Sequence, residues 1–278
     1  VQHHGVARTV SASPNDGLRS ELLADLCSGH TMAGVAFAHV RREGGRAIEA
    51  SRVDGGWRLD GFAPWATSWG IADLFAIAAE SSDGELVWAI VPGREAPGVR
   101  PFPLDLPVFS STGTVALEFD ALVVPDERIA LVEDVVSWRA DDRARASIGQ
   151  PAVLGVADRA IRLLSDSARD DDDPVHDAVG SLRRRLDRRW RADDETVAVL
   201  ANDPSDAVIT SASDHRAACL TLAHDATTAL TAAVGGAAMD RSHPAQRLVR
   251  EAAFYVIQAQ TVDGRAGVLR SIAAHRPG

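Results

Sequence analysis

The hydrophobic period of this chain changes near residue 140, and that change restricts the fold more than any other feature of the sequence. Before it, from about 32 to 125, short apolar or alternating runs are separated by turn-forming segments such as REGG, DGG and SSDGE. Such runs predict β-strands, and a closely spaced series of them is typical of an antiparallel barrel or sandwich. About seven strands are predicted, within residues 32–40, 47–53, 56–62, 74–80, 86–92, 99–104 and 115–124.

After the change, apolar residues recur at three- and four-residue intervals, which is the period of an amphipathic helix. Helices are predicted within residues 143–168, 175–200, 213–236, 244–260 and 262–274. Asp214 is the predicted N-cap of the third, and Pro244 suits the first turn of the fourth. Helices in series with short links predict an antiparallel bundle.

The fold class predicted is therefore α+β, with an antiparallel β-barrel or sandwich domain at residues 31–128 and a C-terminal α-helical bundle at 129–278. Residues 1–30 contain one further helical pattern, GLRSELLADLCSG, which is too short to form a domain. We expect this segment to be the end of a larger helical domain.

Composition and charge exclude several classes of function. A hydrophobic content of 46% with 24% charged residues is that of an ordinary globular protein. The net charge of −10 argues against nucleic-acid binding, and no apolar run is long enough to span a membrane. The opening VQHHGVARTV lacks the apolar core of a signal peptide. Cys27 and Cys219 are predicted to be buried free thiols, which fits a cytoplasmic protein.

Few motifs indicate a ligand on their own. The basic cluster at 183–191 is either a solvated helix face, flanked by acidic runs, or a site for an anion such as a nucleotide or a CoA phosphate. No Cys/His grouping predicts a zinc or other metal site. The sequence also contains no phosphate-binding loop after a strand and no Gly-x-Ser-x-Gly elbow.

Several spaced motifs, taken in order, resemble the acyl-CoA dehydrogenase superfamily. The resemblance is carried by GGWRLDG at 55–61, Trp65-Ala66-Thr67, GIAD at 70–73, FDALVVP at 119–125, Gly235-Gly236, His243-Pro244, Arg247-x-x-Arg250-Glu251 and Thr261-x-Asp263. It covers nearly the whole chain, and residues 1–30 resemble the end of the family's N-terminal helical domain, most of which is missing.

The resemblance implies flavin chemistry on an acyl thioester. In such enzymes a carboxylate removes the proton alpha to the thioester carbonyl while FAD accepts a hydride from the beta carbon. By resemblance, Trp65 and Thr67 would contact the flavin ring, and Gly235, Gly236 and Thr261 would complete the cofactor site. The alternative for Trp65 is a buried aromatic side chain on a strand.

The sequence departs from the family pattern where the base is expected. The family's Glu-Gly-Thr corresponds to Ala259-Gln260-Thr261, and a methyl group cannot accept a proton. Some members carry the glutamate on the first bundle helix instead, where Asp141 and Asp142 are weak substitutes. The alternative for this pair is a charge interaction with a helix N-terminus.

The expected FAD contacts are also reduced. The family's loop Thr-Glu-Pro-x-Ala-Gly-Ser corresponds to residues 39–45, of which one glycine is kept. An Arg-x-Phe-Gly motif is replaced by Asp171-Asp172-Asp173-Pro174, whose carboxylates would repel a pyrophosphate. Ala232 replaces a glutamine of the family pattern.

Three hypotheses follow. The first is an acyl-CoA dehydrogenase-like flavoprotein, an oxidoreductase of the CH–CH group of an acyl thioester that, as a degenerate subunit, needs a partner for FAD or for the base. The second is a non-catalytic scaffold or binding subunit on the same fold, and the third is a flavin-dependent monooxygenase. The partners expected are acyl-CoA or another acyl thioester and further subunits, in a homo-oligomer or in a hetero-oligomer with a related chain.

Overall fold

A computed structural model describes residues 2–42, 45–148, 151–170 and 173–274 of the chain. It divides into two compact units, Val1–Ala140 and Asp141–Gly278. The first unit contains the β-sheet, and the second is helical throughout the residues described. The division at 128/129 inferred from the sequence stays a prediction.

Among the described residues of the first unit, eight strands form one sheet. They are β1 (Ala33–Ala36), β2 (Ile48–Val53), β3 (Gly56–Ala66), β4 (Leu74–Ser81), β5 (Glu85–Pro92), β6 (Val99–Pro103), β7 (Val115–Pro125) and β8 (Ile129–Asp134). Their order is β6-β7-β3-β2-β4-β5-β8, with β1 also paired to β4. The predicted fold class and all seven predicted strands are confirmed, and β8 is an additional one.

The sheet is mixed rather than purely antiparallel. β1 pairs in parallel with residues 74–77 of β4, and β2 pairs in parallel with Glu80 and Ser81 at the other end of the same strand. The other strand pairs are antiparallel. The sequence period identifies strands but carries no information on the direction of a neighbour, so these parallel pairs could not be predicted.

Strand β4 lies between two hydrophobic cores, because all of its residues are buried. Phe75 and Ile77 belong to the core formed by strands, whereas Ala76 and Ala78 face a second core. Helices α1 (Gln2–Ser11) and α2 (Asp16–Ser28) cover the second core with apolar residues at helical spacing, namely Val6, Val10, Leu18, Leu22 and Leu26. Cys27, the residue after Leu26, lies off this apolar face of α2 and is exposed, so its predicted burial was wrong.

The described part of the second unit consists of helices. After α3 (Val135–Ser147), in which the boundary between the units falls, come α4 (Pro151–Ser165), α5 (Val175–Asn202), α6 (Asp206–Val234), α7 (Pro244–Ile257) and α8 (Val262–Ala274). Helices α6 and α8 approach closely, because a Cβ at Gly267 would lie 2.7 Å from the carbonyl oxygen of Ser213. No helix in the described ranges is long and apolar enough to cross a membrane.

Two details of the predicted helices differ from the structure. The pattern at 143–168 comprises two helices, since α4 begins at Pro151. Helix α6 begins at Asp206, so Asp214 is not its N-cap, and that prediction was wrong. Asp214 instead accepts a hydrogen bond from Arg270 of α8 at 2.6 Å. Pro244 lies in the first turn of α7, as predicted.

Candidate functional site

Trp65 lies in an irregular part of strand β3. The register between β3 and β7 shifts between Ala63 and Ala66, so the intervening residues form a β-bulge. Bulges commonly turn a side chain away from the regular face of a sheet. The Trp65 side chain is half-buried. This intermediate burial fits both the flavin-contact hypothesis and that of a strand aromatic side chain.

Thr67 is positioned by the turn that follows β3. Ser68 adopts a left-handed backbone conformation with φ of 82°, and its N–H donates to the carbonyl oxygen of Thr112 at 2.8 Å. The next N–H, of Trp69, donates to the carbonyl oxygen of Gly113 at the same distance. The backbone of Thr67 also passes Gly34, where a Cβ would lie only 2.8 Å from the Thr67 carbonyl oxygen.

The hydroxyl of Thr67 belongs to a chain of hydrogen bonds. Its Oγ1 lies 3.1 Å from Oγ1 of Thr114, which lies 2.9 Å from Oγ1 of Thr112. The Thr112 hydroxyl donates to the carbonyl oxygen of Phe109 at 2.7 Å, and a carbonyl can only accept. Each hydroxyl has one hydrogen, so Thr114 donates to Thr112 and Thr67 donates to Thr114. Thr67 therefore presents free lone pairs, not a hydrogen, to a bound ligand.

Ala259 lies in the short link between α7 and α8. Its backbone is left-handed, with φ of 50°, and its side chain is half-buried. Arg216 of α6, which is 3% exposed, donates to the carbonyl oxygens of Gln258 at 2.5 Å and Ala146 at 2.8 Å. These bonds hold the link in place. At this position the chain provides a fixed backbone and a methyl group.

Thr261 caps helix α8. Its Oγ1 accepts a hydrogen bond from the N–H of Gly264 at 3.1 Å, which is the usual geometry of an N-cap. The hydroxyl hydrogen remains for a ligand. Asp263 accepts two hydrogen bonds from Arg143 of α3, at 2.7 and 2.9 Å. This Arg143 contact lowers the pKa of the Asp263 carboxyl. The motif Thr261-x-Asp263 thus has a structural role at the start of α8.

The two candidate substitute bases differ in burial. The Asp141 side chain is exposed, with one oxygen 3.9 Å from the Arg145 guanidinium. The Asp142 residue is 6% exposed. Both lie beyond the first turn of α3, which begins at Val135, so the proposed charge interaction with a helix N-terminus does not apply. Asp142 is therefore the buried carboxylate of this pair.

Gly235 and Gly236 end helix α6. Gly235 has φ of 70° and its N–H donates to the carbonyl oxygen of Thr231, as in a common helix C-cap. Both glycines are exposed, and no atom lies within 4 Å of a Cβ built at either position. Ala232 nearby is also exposed. This segment leaves space for a ligand but supplies no side chain to hold one.

The start of helix α5 does not suit a phosphate. Asp173 accepts hydrogen bonds from the N–H groups of Val175 at 3.0 Å and Arg169 at 3.1 Å, and these bonds lower the pKa of its carboxyl. A carboxylate thus occupies a helix N-terminus, where an anion would otherwise bind. The other expected positions, Asp171, Asp172, Glu43 and Gly44, lie outside the described residues.

The basic cluster at 183–191 lies on α5, and part of its charge is paired. Arg185 donates to Asp225 at 2.5 Å, and Arg183 lies 3.9 Å from Asp158. These pairs favour the solvated helix face over an anion site. Within the described ranges, no group of His, Cys, Asp and Glu side chains could hold a metal ion.

These placements test how well the chain fits FAD. Within the first unit, Trp65 and Thr67 offer an aromatic side chain and hydroxyl lone pairs, which fit contacts with a flavin ring. In the second unit taken by itself, Thr261 keeps a hydroxyl hydrogen for a ligand. The described residues at the start of α5 do not fit a pyrophosphate. The chain therefore offers ring contacts and lacks phosphate contacts in the part that the structure describes.

Four of these residues, namely Thr112, Thr114, Arg143 and Arg216, were not predicted from the sequence. Thr112 and Thr114 lie between the predicted strands at 99–104 and 115–124, in a segment for which the sequence pattern predicts no ligand. Arg143 and Arg216 lie on helices. The helical period shows which face of each helix is apolar, but it does not show which arginine makes buried tertiary hydrogen bonds. The one signal in the sequence is that Arg216 stands within an Ala-rich helical pattern, where a buried arginine needs hydrogen-bond partners.

Comparison with solved structures identifies the fold. A butyryl-CoA dehydrogenase from Megasphaera elsdenii matches with a TM-score of 0.74 and 16% identity, over 96% of this chain and 74% of that one. A glutaryl-CoA dehydrogenase from Mycobacterium smegmatis in complex with FADH2 matches with a TM-score of 0.75 and 15% identity, over 98% and 73%. The ChsE4–ChsE5 complex from Mycobacterium tuberculosis matches with a TM-score of 0.66 and 21% identity, over 98% and 74%.

No family model matches the chain, and no curated protein sequence does either. The chain has the acyl-CoA dehydrogenase fold, as the motifs of the sequence predict. Because these structures are so distant in sequence, the likeness establishes the fold and leaves the activity to be argued from the site.

Proposed function

We propose, from the acyl-CoA dehydrogenase fold and the residues at its candidate site, that this chain is a flavoprotein component acting on an acyl thioester. In this proposal the chain supplies part of the FAD site and a partner subunit supplies the phosphate contacts or the base. The observation that carries the proposal is the link at Ala259. Arg216 holds the backbone of this link in place, but the side chain of Ala259 is a methyl group that cannot act as a base.

The chain's own residues would have limited roles in the reaction. FAD, when bound, would accept a hydride from the thioester substrate. In the first unit, Thr67 would accept a hydrogen bond from the flavin and Trp65 would cover part of the ring. In the second unit, taken by itself, Thr261 would donate a hydrogen bond to a ligand. Asp142, the buried carboxylate of the candidate pair, is the one in this chain to test as a base.

Two observations support a partner subunit. One structure with this fold is a complex of two differently named chains, ChsE4 and ChsE5. In addition, one face of α8 carries the exposed side chains Val262, Leu269 and Ile272, which fit burial against another subunit. We include both a homo-oligomer and a hetero-oligomer with a related chain in the proposal, and a cytoplasmic location remains part of it.

The test is to purify the chain alone and after co-expression with a homologue that carries the glutamate. We expect little flavin absorbance for the chain alone, and a yellow complex that reduces a dye with acyl-CoA under anaerobic conditions. A colourless protein in both preparations, even with added FAD, would contradict the proposal and support the scaffold. A yellow complex that consumes oxygen but reduces no dye would instead indicate a monooxygenase.

The scaffold is the second candidate, and one observation favours it. Asp173 keeps its carboxylate at the start of α5, where it competes with any phosphate for the same N–H groups. Asp173→Ser separates the two candidates, because a serine can cap a helix without a negative charge. A gain of FAD binding in this variant supports a degenerate flavin site, and unchanged absence of binding supports the scaffold.

A further inference from the structure

A cavity of about 650 Å³ lies at one end of the β-sheet, in the first unit. It is bounded by the start of β4, the end of β5, the loop that follows β5 and the last residues of β7. This volume is within the usual range for small-molecule sites, which often occur at the mouths of β-barrels.

The cavity has an apolar floor and an apolar rim. Its floor is made by side chains that also belong to the buried core of the sheet, namely Ala72, Val91, Val99 and Val124. Its rim carries Ile71 and Val123, which are 55% and 57% exposed. Exposed aliphatic side chains beside an apolar concavity are typical of a site that binds an apolar group.

The charges that line the cavity favour an anion. Asp73 is the one acidic residue of the lining, and its Oδ2 already accepts a hydrogen bond from the N–H of Met32 at 2.7 Å. Arg128 pairs with Glu21 at 2.8 Å. Arg94 is exposed and makes no ion pair with any residue that the structure describes. In a chain of net charge −10, the cavity thus presents an unpaired cation beside an apolar surface.

We infer that this cavity binds a single-chain amphiphile with a carboxylate head group. The alkyl chain lies against Ile71, Val123 and the apolar floor, and the carboxylate faces Arg94. Both halves of the ligand are needed, because an exposed ion pair alone is worth little and the apolar contact does not select a head group. The site goes beyond the proposed function, since it uses none of the residues assigned to flavin or substrate.

The experiment is calorimetric titration of the full chain with dodecanoate, below the concentration at which it forms micelles. We expect saturable binding at one site per chain, and weaker binding of dodecan-1-ol and of dodecyltrimethylammonium. Ile71→Asp and Val123→Asp should each weaken dodecanoate binding by more than about tenfold, because a charge would face the alkyl chain. Arg94→Gln should weaken it by about threefold to fivefold.

Matched controls lie on the same unit, outside the cavity lining. Val136→Asp adds a charge at an apolar residue that is 69% exposed, and Arg8→Gln removes an exposed arginine. Both should bind dodecanoate like the unmodified chain, and circular dichroism should show that every variant is folded. Absence of saturable binding, equal affinity for the alcohol, or binding that is unchanged in Ile71→Asp and Val123→Asp would each overturn the inference. So would binding lost in Trp65→Ala alone, which would assign the amphiphile to the flavin region.

Discussion

The hydrogen-bond chain that ends at Thr67 decides what this residue can offer a ligand. Because the Thr112 hydroxyl donates to a carbonyl, the hydrogens of Thr114 and Thr67 are directed along the chain and only lone pairs remain at its end. The side chain is therefore preset as an acceptor. Donation from Thr67 to a ligand would break its hydrogen bond to Thr114. Keeping that bond would require Thr112 and Thr114 to rotate as well and would leave the Phe109 carbonyl without this donor.

This arrangement predicts coupling between Thr67 and Thr114. Replacing either by valine should lower the free energy of unfolding by about 1–2 kcal/mol, since it removes a hydrogen bond in a half-buried cluster. The double variant should be destabilised by less than the sum of the two, because one bond is shared. Urea denaturation measures this, with Thr9→Val as a control, because the Thr9 hydroxyl bonds to the Gly5 carbonyl of its own helix. Strict additivity would show that the two hydroxyls do not interact.

Three buried or half-buried histidines predict a pH dependence of stability. Burial is the main cause that lowers the pKa of His39, His215 and His224 in the folded chain below the ordinary value of 6.5. The unfolded chain therefore binds more protons than the folded chain just below pH 6.5, so stability falls as the pH is lowered there. Carboxylates with lowered pKa values, such as Asp263, act only in the more acidic range.

We expect the free energy of unfolding to decrease between pH 7 and pH 5, by up to about 1.4 kcal/mol per pH unit for each histidine that stays neutral. Urea denaturation across this range measures the slope. His39→Gln should reduce it, because glutamine keeps a donor for the Ala78 carbonyl, which lies 2.7 Å from His39 Nε2, and does not titrate. A stability that is constant or rises on acidification would contradict the burial argument.

At the scale of elements, the strands that are flanked by turn-forming residues could be predicted from the sequence. The one strand without such a turn before it, β8, could not. Strand β8 follows β7 after a single 3₁₀ turn at Asp126–Arg128, with no glycine to separate the two. Its pairing with β5 comes from a partner distant in the chain, and local pattern cannot show that. The parallel pairs of β4 were missed for the same reason.

The residues of the candidate site show the same contrast between what a local pattern reveals and what only tertiary contacts determine. Residues in linear motifs, such as Trp65, Thr67 and Thr261, could be selected from spacing and resemblance. Thr114, the partner of Thr67, and Arg216, which donates to the Gln258 carbonyl beside Ala259, are brought to these positions only by tertiary contacts. The sequence could not show that Thr261 would cap α8 either, because an N-cap threonine and a ligand-binding threonine look alike in a linear motif.

The packing of β1 against β4 predicts a strong effect of Gly34→Ala. A Cβ at this position would lie 2.4 Å from the Phe75 ring and 2.8 Å from the Thr67 carbonyl oxygen, so core and site must both shift. We expect a loss of about 1–3 kcal/mol in the free energy of unfolding. The matched control is Gly5→Ala on α1, where nothing lies within 4 Å and a gain of about 0.5–1 kcal/mol is expected. Equal effects of the two substitutions would show that β1 does not pack closely.

At the scale of the whole molecule, helix α8 has two apolar faces. Gly264 and Gly267 lie on the buried face, against α6, whereas Val262, Leu269 and Ile272 are all more than half exposed. A helix that is apolar on both sides is expected between two partners, of which the chain itself supplies one. The exposed face therefore carries the proposal of a homo- or hetero-oligomer.

This face predicts that assembly depends on α8 and folding does not. Leu269→Asp combined with Ile272→Asp places two charges on the exposed face, so the unfolding midpoint of the isolated chain should change little, while burial of those charges between subunits would be costly. Sedimentation velocity should show a dimer or larger assembly for the unmodified chain, or for its complex with the co-expressed homologue, and smaller species for the variant. The control is Val197→Asp with Val199→Asp on α5, whose exposed valines should tolerate charge without a change in mass. If both double variants keep the assembly intact, subunits meet elsewhere; if only the α5 variant dissociates it, the interface belongs to that helix and the second face of α8 needs another explanation.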